Sequence, residues 1–480
     1  MGYRPGVYIS QRATPPPRSA PTDTGVWHIV GLADAGPLGP TLVQSMADFE
    51  RIFGLRQSYA AMSYDSLDVF FREGGGSAMM NRVVGPAAAS ATKNLLDGSA
   101  AISLVATAIG PGAYYNAIKV GVRAGSAGGT VVIFIQDANS VEVEASPDLA
   151  TQQAAQLWGQ YSNYIRLSIG VSTNLPAVAA AAVLAGGADD RNNIVDANWA
   201  SALALDTPDK GPGQVSAPGQ TTSARHLQLL AHAAANRRIA VLDAPDTSTA
   251  ATLTALAATD RAGNQRYGAM FAPWLVAPGI TPGTTRSIPP SALVAGLIAR
   301  NAGLGPASPS AGDLGISLFA TALSQPAWDD PTRQTLNNGG VDVIRLMFGQ
   351  VRVYGWRTLV DSTADPTWAN LGGSRTFMAI ASDASVIAEA YVFDKIDGQG
   401  KLMSSFSGAL SGMLLDYFNN GDLYGGDPNE AFFVNVGNQV NTPTTLANNE
   451  LHAVLNIRIS PFGEFVQVEI VKRAITEAVA

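Results

Sequence analysis

Side chains capable of catalysis or metal binding are few and widely spaced in this sequence. Cysteine is absent from the 480 residues, which excludes disulfides, a thiolate nucleophile and cysteine-ligated zinc. The four histidines are His28, His226, His232 and His452. His226 and His232 would project from different sides of a helix, so they do not form the i, i+4 pair typical of helical metal sites. We therefore expect surface or core histidines and no metal centre.

Motifs for nucleotide and acyl chemistry are also missing. Gly400-Lys401 lacks the upstream glycine of a phosphate-binding loop, and Gly110-Pro111-Gly112 is followed by Tyr115 where a dinucleotide fingerprint needs its third glycine. Gly74-Gly75-Gly76 follows a predicted helix, so its expected role is to end that helix rather than to bind an anion at a helix N-terminus. No nucleophile elbow or calcium-loop spacing is present.

Two adjacent aspartate pairs remain, Asp189-Asp190 and Asp329-Asp330, and both fall in predicted loops or at helix starts. Capping and the helix dipole explain acidic residues at such positions without general acid–base work. No residue set supports a catalytic, cofactor-binding or metal site, and we expect a protein that is not an enzyme. The alternative is an α/β hydrolase or a nucleotide-binding enzyme.

Composition narrows the function classes further. Thirty basic and 38 acidic residues give a net charge of −8, which argues against direct nucleic-acid binding because phosphate-backbone binders usually carry a basic excess. Hydrophobic residues make up 46% and charged residues 14%, so most of the chain can bury a core, and its length predicts two to four domains. No secretory signal is seen, and no apolar run reaches the roughly 20 residues that span a bilayer. We expect a soluble chain made in a cytoplasm, with no membrane insertion.

Hydrophobic periodicity predicts the elements that would position any site. Val26–Gly31 is typical of a buried strand, helical patterns follow, and a strand-rich stretch interrupts this α/β layer before it resumes. Near the C-terminus, Ser382–Ile396 and Ser404–Phe418 are predicted amphipathic helices, and Leu451–Ile459 alternates as a half-buried strand. Val341–Phe348 and Val351–Trp356 are predicted to form a strand pair.

We therefore predict an α/β (α+β) multidomain fold: an α/β core, a strand-rich inserted domain and extended N- and C-terminal β arms. The predicted units are an N-terminal arm (1–24), a middle α/β domain (25–91 and 188–335), a β-rich insert (92–187), a C-terminal α/β domain (336–463) and a C-terminal arm (464–480).

The two terminal segments carry the main functional prediction. Pro5–Ile9 contains a short apolar strand with Val7, Tyr8 and Ile9, and the prolines from Pro15 to Pro21 hold it on an extended tether. At the other end, a strand is predicted from Phe465 to Val471, with Phe465, Val466, Val468 and Ile470 as its apolar residues. Apolar strands of this kind must pair with a sheet edge, either in the same subunit or in another.

An ordered series of motifs along nearly the whole chain carries a family resemblance. The N-terminal motifs are Pro5-Gly6-Val7-Tyr8-Ile9, Val30-Gly31, Gly36-Pro37, Phe49, Phe53-Gly54, Phe70-Phe71, Gly74-Gly75-Gly76 and Arg82-Val83. The middle motifs are Pro111-Gly112, Asn116, Leu184, Gly186-Gly187, Ala240-Val241-Leu242-Asp243-Ala244-Pro245, Ala272-Pro273-Trp274, Ile288-Pro289-Pro290-Ser291 and Val294-Ala295-Gly296. The C-terminal motifs are Gly340 to Arg345, Gly421-Asp422-Leu423-Tyr424-Gly425, Phe432-Phe433-Val434, Ile459-Ser460-Pro461 and Glu464-Phe465. Together they resemble the contractile tail sheath proteins of phage tails and contractile injection systems.

The resemblance implies a structural role and a set of partners. In that family, subunits stack around an inner tube and their terminal arms add β-strands to the sheets of neighbours. For this chain it implies a helical homopolymer held by the arm residues named above, which contracts to drive the tube through a target envelope without a cofactor. The implied partners are the chain itself, an inner tail tube protein, a baseplate and a tail terminator. The implied location is a virion tail or injection particle assembled in the bacterial cytoplasm.

Overall fold

The structure is a computed structural model that describes residues 23–470. The helices are α1 Met46–Phe53, α2 Ala61–Arg72, α3 Gln152–Tyr161, α4 Asp196–Ala204, α5 Ser223–Asn236, α6 Ala250–Asp260, α7 Pro290–Arg300, α8 Asp330–Asn338, α9 Leu371–Glu389, α10 Lys401–Asn419, α11 Pro428–Ala431 and α12 Pro443–Ala447. The strands are β1 Trp27–Gly31, β2 Thr41–Val43, β3 Ala78–Arg82, β4 Ser90–Leu96, β5 Ile102–Pro111, β6 Lys119–Ala124, β7 Val131–Gln136, β8 Glu142–Ala145, β9 Ile165–Ile169, β10 Ala179–Val183, β11 Gln214–Ser216, β12 Ile239–Asp243, β13 Gly268–Ala272, β14 Leu275–Pro278, β15 Thr285–Ile288, β16 Ala322–Leu323, β17 Val341–Met347, β18 Gln350–Val353, β19 Phe432–Asn435 and β20 Val454–Ile457.

An eight-stranded sheet in the order β18-β17-β13-β12-β11-β1-β3-β2 forms the body. Its inner strands are parallel, whereas β2 and β18 at the two edges are antiparallel to their neighbours. Every residue of β1, β12 and β13 is buried, as continuous apolar runs predict for parallel strands covered on both faces. The predicted buried strand at Val26–Gly31 is confirmed as β1.

Two helical layers cover this sheet. One core contains side chains from α2, α7 and α9, and the other contains side chains from α4, α5, α6 and α8. Local sequence explains where such helices begin and end: Ser45 accepts a hydrogen bond from the Asp48 amide at the start of α1, and Gly54 with φ of 85° ends the helix after Phe53. The body is thus an α/β sandwich in three layers, which confirms the predicted fold class.

Strands β4 to β10 form two sheets of their own, in the orders β4-β5-β9 and β10-β6-β7-β8. A separate core lies between them and includes Leu104, Ile133 and Leu167. The chain enters and leaves this insert side by side, because Ala89 bridges Ala188 and Thr92 bridges Ala185. All of these strands lie close to or within the residues for which the sequence predicts an inserted domain.

One sequence prediction for the C-terminal third needs correction. Helix α9 begins at Leu371 rather than Ser382 and ends at Glu389 rather than Ile396. The Asn370 side chain caps the start of α9. The sequence pattern does not indicate this first turn, because Gly372 and Gly373 lie in it and glycine is a poor helix former. β13 and β17, which lie on either side of residue 336, pair in parallel within the eight-stranded sheet. The predicted strand pair β17–β18 and the helix α10 are confirmed.

Candidate assembly interface

The two terminal segments that sequence singles out differ in how much of them can be described. Val7, Tyr8 and Ile9 lie outside the described residues. The described chain begins at Asp23, and Thr24 lines a small cavity together with Arg375 and Met378 of α9. The first described residues therefore lie beside α9.

The described apolar residues of the C-terminal segment are largely exposed to solvent. Phe465, Val466, Val468 and Ile470 are 83%, 79%, 76% and 89% exposed. No strand is formed at residues 465–470, so the strand predicted from Phe465 to Val471 is not paired within the described part of this chain. The alternation itself is present, because Val466, Val468 and Ile470 would share one face of an extended strand. A strand needs a partner edge, and the segment 465–470 pairs with no strand within residues 23–470.

A small two-stranded sheet offers such edges. β19 pairs with β20 in antiparallel register, Phe432 opposite Ile457 and Asn435 opposite Val454. One face packs on α10 through Leu414 and Tyr417. Within residues 23–470 the two strands pair only with each other, so each keeps one edge without a strand partner.

The side chains of this small sheet alternate as the sequence predicts for Leu451–Ile459. Leu455 and Ile457 point inward and are partly buried, whereas Val454 and Asn456 are exposed. On β19, Phe433 remains 61% exposed on the outer face. Sequence periodicity missed β19, although the β-prone run Phe432-Phe433-Val434 could have signalled it. Exposed apolar side chains on a sheet with unpaired edges mark a site for strand addition.

The point where the C-terminal segment leaves the body is held by Glu464. Arg357 donates from Nε to Oε1 at 2.9 Å and from Nη2 to Oε2 at 2.7 Å, and Asn337 donates from Nδ2 to Oε1 at 2.9 Å. Burial alone would raise the pKa of Glu464, but the hydrogen bonds from Arg357 and Asn337 and the charge of Arg357 hold it below its usual range. Glu464 is thus an ionised, bidentate partner of Arg357.

His28, His232 and Asp329 have structural partners. His28 is buried and its Nδ1 lies 2.9 Å from Oδ2 of Asp206, while Arg238 donates to Nε2 of His232 at 2.8 Å. Burial lowers the pKa of His28 despite the carboxylate, which keeps this ring neutral. Asp329 caps α8 by accepting from the Thr332 amide.

Two further searches concern only the range 23–470. No three His, Asp or Glu side chains there are grouped closely enough to hold a metal ion. No helix in that range is long and apolar enough to cross a membrane.

Comparison with solved structures places the fold. The sheath tail protein of Listeria innocua superposes with a TM-score of 0.61 at 14% identity, covering 92% of this chain and 93% of that one. The contracted helical sheath of the anti-feeding prophage superposes with a TM-score of 0.57 at 16% identity, covering 98% of this chain and 100% of that one. The sheath complex of an extracellular contractile injection system, PVC, superposes with a TM-score of 0.55 at 16% sequence identity, covering 98% of both chains. No protein-family profile matches the sequence, and no curated protein matches it. The chain therefore has the fold of contractile sheath subunits along almost its whole length.

Proposed function

We propose that this chain, which has the contractile sheath fold, is a structural subunit that polymerises around an inner tube. The observation that carries the proposal is the C-terminal segment 465–470, whose apolar side chains are exposed and alternate like those of a strand. Exposed, strand-forming apolar segments are an aggregation hazard unless a partner covers them. A second copy of the chain, with its open β19 and β20 edges, is the partner that fits.

Strand addition between copies would generate a continuous polymer. The tail and the receiving edge are different surfaces of the chain, so the contact is heterologous and each copy can give one strand and receive another. Main-chain hydrogen bonds provide the affinity and are tolerant of rotation between the bodies. A helical homopolymer with flexible connections and rigid bodies follows from these properties.

The finer mechanism is part of the same proposal. Contraction would re-pack rigid bodies into a lower-energy lattice while the arms keep neighbours connected, so that the stored difference in packing drives the tube through a target envelope. The N-terminal residues Val7, Tyr8 and Ile9 would supply a second exchanged strand. An inner tail tube protein, a baseplate and a tail terminator would be the partners in a virion tail or injection particle assembled in the bacterial cytoplasm. A non-enzymatic role is favoured over a hydrolase or nucleotide-binding enzyme because His28, His232 and Asp329 serve structural contacts.

Removal of residues 465–480 tests the proposal. The truncated chain is expected to fold, because the removed segment that can be described is exposed, and to form no tubes. Val468→Pro in the full chain is expected to act in the same direction, because proline removes a backbone donor from the added strand. The measurement is negative-stain microscopy together with sedimentation, and circular dichroism checks folding.

Val171→Pro is the matched control for the second variant. Val171 is 84% exposed and lies outside the strands of the insert, so this proline should leave tube formation intact. Long tubes formed by the truncated chain would refute strand addition by the C-terminal segment. Discrete particles of the unmodified chain that bind and turn over a small ligand would favour the enzyme.

A further inference from the structure

Between β20 and the exposed tail, residues 459–464 run from the small sheet to the body formed by the eight-stranded sheet. Ile459 still bridges Leu423 beside β20, and the Ser460 amide donates to the Asp422 carbonyl at 2.9 Å. Two residues later Phe462 packs against the core of the eight-stranded sheet. Glu464 then contacts Arg357 and Asn337, and the described residues after it, 465–470, are exposed. Residues 459 and 460 therefore contact the segment beside the small sheet, whereas residues 462 and 464 contact the body.

The two receiving residues belong to firmly placed elements of the body. Asn337 lies in the last turn of α8, and Arg357 follows β18 by a few residues. The Arg357 amide donates to both carboxylate oxygens of Asp342 on β17, at 2.9 and 3.1 Å. Asp342 is buried, with 1% of its surface exposed. Arg357 is thus fixed to β17 through its backbone and to the tail through its side chain.

The contact with Glu464 differs from ordinary surface ion pairs in what it connects. Arg123 and Glu142 form a comparably exposed pair, but both residues belong to neighbouring parts of the insert, on β6 and β8. Glu464 instead joins the root of the tail to residues 107 and 127 positions earlier in the chain. Both pairs are bidentate, and in each the planar fork of arginine fixes direction as well as distance.

We propose that Phe462 and Glu464 form an anchor that fixes where and in which direction the C-terminal segment leaves the body, with Arg357 and Asn337 as its receptor. The anchor presents residues 465–470 to a second copy of the chain and prevents them from folding back along their own small sheet. It also passes force on the tail to the eight-stranded sheet rather than to β20. This inference rests on the proposed strand addition, and its residues are positioning residues for that step.

The absence of cysteine makes the anchor measurable. Gln334→Cys on the exposed face of α8 and Val468→Cys in the tail introduce a single pair of thiols for spin labels in the full-length chain. The width of the label-to-label distance distribution, measured in dilute subunit before tubes form, reports how firmly the tail is directed. With the anchor in place, the free chain up to the label is residues 465–468, which is four residues; without Phe462 and Glu464 it is residues 461–468, which is eight. Because the spread of a flexible tether grows as the square root of its length, Phe462→Ala with Glu464→Gln is expected to widen the distribution about 1.4-fold.

Single variants and a matched control separate the anchor from general loosening. Glu464→Gln alone and Asn337→Ala alone are expected to widen the distribution to a smaller extent. Glu142→Gln is the control, because the side chains of Glu142 and Glu464 are both 40% exposed. It should leave the width unchanged. Arg357→Lys keeps the charge but loses the fork, and should give a width between those of the unmodified chain and Glu464→Gln.

The outcomes distinguish this inference from the function on which it rests. Widening by Glu464→Gln and Asn337→Ala but not by Glu142→Gln supports the anchor. Equal widths in all variants, or equal widening by the control, overturn it and leave strand addition untouched, because the measurement is made on the unassembled subunit. Tubes formed by the chain that lacks residues 465–480 overturn strand addition whatever the widths.

Discussion

The insert and the C-terminal segment are both appended to the same body, but they are fastened in opposite ways. Arg82, 1% exposed at the end of β3, donates to the carbonyl oxygens of Ala33, Asp34, Gly36 and Pro111, the last of which belongs to the insert. The tail is held at its root by the half-exposed ion pair of Glu464 with Arg357, by Asn337 and by Phe462, and residues 465–470 beyond it are exposed. A buried cation that satisfies several carbonyls resists separation, whereas an exposed pair is worth roughly 0–1 kcal/mol.

Further contacts at the insert strengthen this difference. The Gly36 amide of the body donates to the Tyr115 hydroxyl of the insert at 2.8 Å. Within the insert, the Asn116 side chain exchanges two hydrogen bonds with the backbone of Gly187 at the exit. A Cβ at Gly110 would lie 1.9 Å from the Gly36 carbonyl, so body and insert touch backbone to backbone. The insert is therefore fastened to the body by close backbone contact, whereas the described residues 465–470 of the tail are exposed.

Arg82→Met should have the largest effect on this comparison. Methionine fills similar volume but leaves four buried carbonyl oxygens without their donor, so we expect a loss of about 3–5 kcal/mol in the free energy of unfolding. Urea unfolding measures it. Arg72→Met is the control, because Arg72 is 54% exposed in its ion pair with Asp68 and should cost less than about 1 kcal/mol. Equal losses in the two variants would show that the junction is no firmer than the surface.

A second buried arginine makes part of the stability of the body depend on pH. His232 is buried beside Arg238, and burial followed by repulsion from Arg238 lowers its pKa from 6.5 to about 4. Between those values the unfolded chain takes up a proton that the folded chain does not, so this stability is present above pH 6.5 and is lost as the pH falls toward 4. The shift corresponds to about 3 kcal/mol at most.

His232→Gln isolates this contribution, because glutamine can still accept from Arg238 but does not titrate. The variant should lose less stability than the unmodified chain between pH 6.5 and 4, as measured by urea unfolding at each pH. Asp243 and Asp422, whose pKa values burial raises to about 6, work in the opposite direction in both proteins and cancel in the comparison. Parallel pH profiles would contradict a neutral, buried His232.

Sequence predicted those parts of the molecule whose signal is local. Runs such as Val26–Gly31 identified buried strands because a strand covered on both faces needs apolar residues at every position. The start of α9 was hidden because the burial of Leu371 and Gly372 against the body outweighs the poor helix propensity of its glycines. The pairing of β13 with β17 joins strands about 70 residues apart in the chain. Local periodicity predicts a strand but does not indicate which distant strand it pairs with.

The candidate interface shows the same limit. Alternation identified Val466, Val468 and Ile470 as strand-forming residues but not where their partner lies, since pairing within the chain and pairing with a neighbour demand the same pattern. Glu464 was only one letter of a family motif, and nothing near it in sequence indicates that Arg357 stands opposite. Contacts between distant segments had to come from the structure.

The smallest expected effect concerns the tail itself. Threonine at positions 466, 468 and 470 together should change the free energy of unfolding of the dilute subunit by less than about 0.5 kcal/mol, because these side chains are already exposed. Val241→Thr is the contrast. Val241 is fully buried in β12. The hydroxyl of the introduced threonine would have no hydrogen-bond partner there, so we expect the free energy of unfolding in urea to fall by about 1–3 kcal/mol. If the triple variant instead lost as much stability as Val241→Thr, the tail would have to pack on its own chain in solution. The contrast between a firmly fastened insert and a free terminal segment would then fail, because the apolar alternation would serve the fold of one subunit rather than contact with the next.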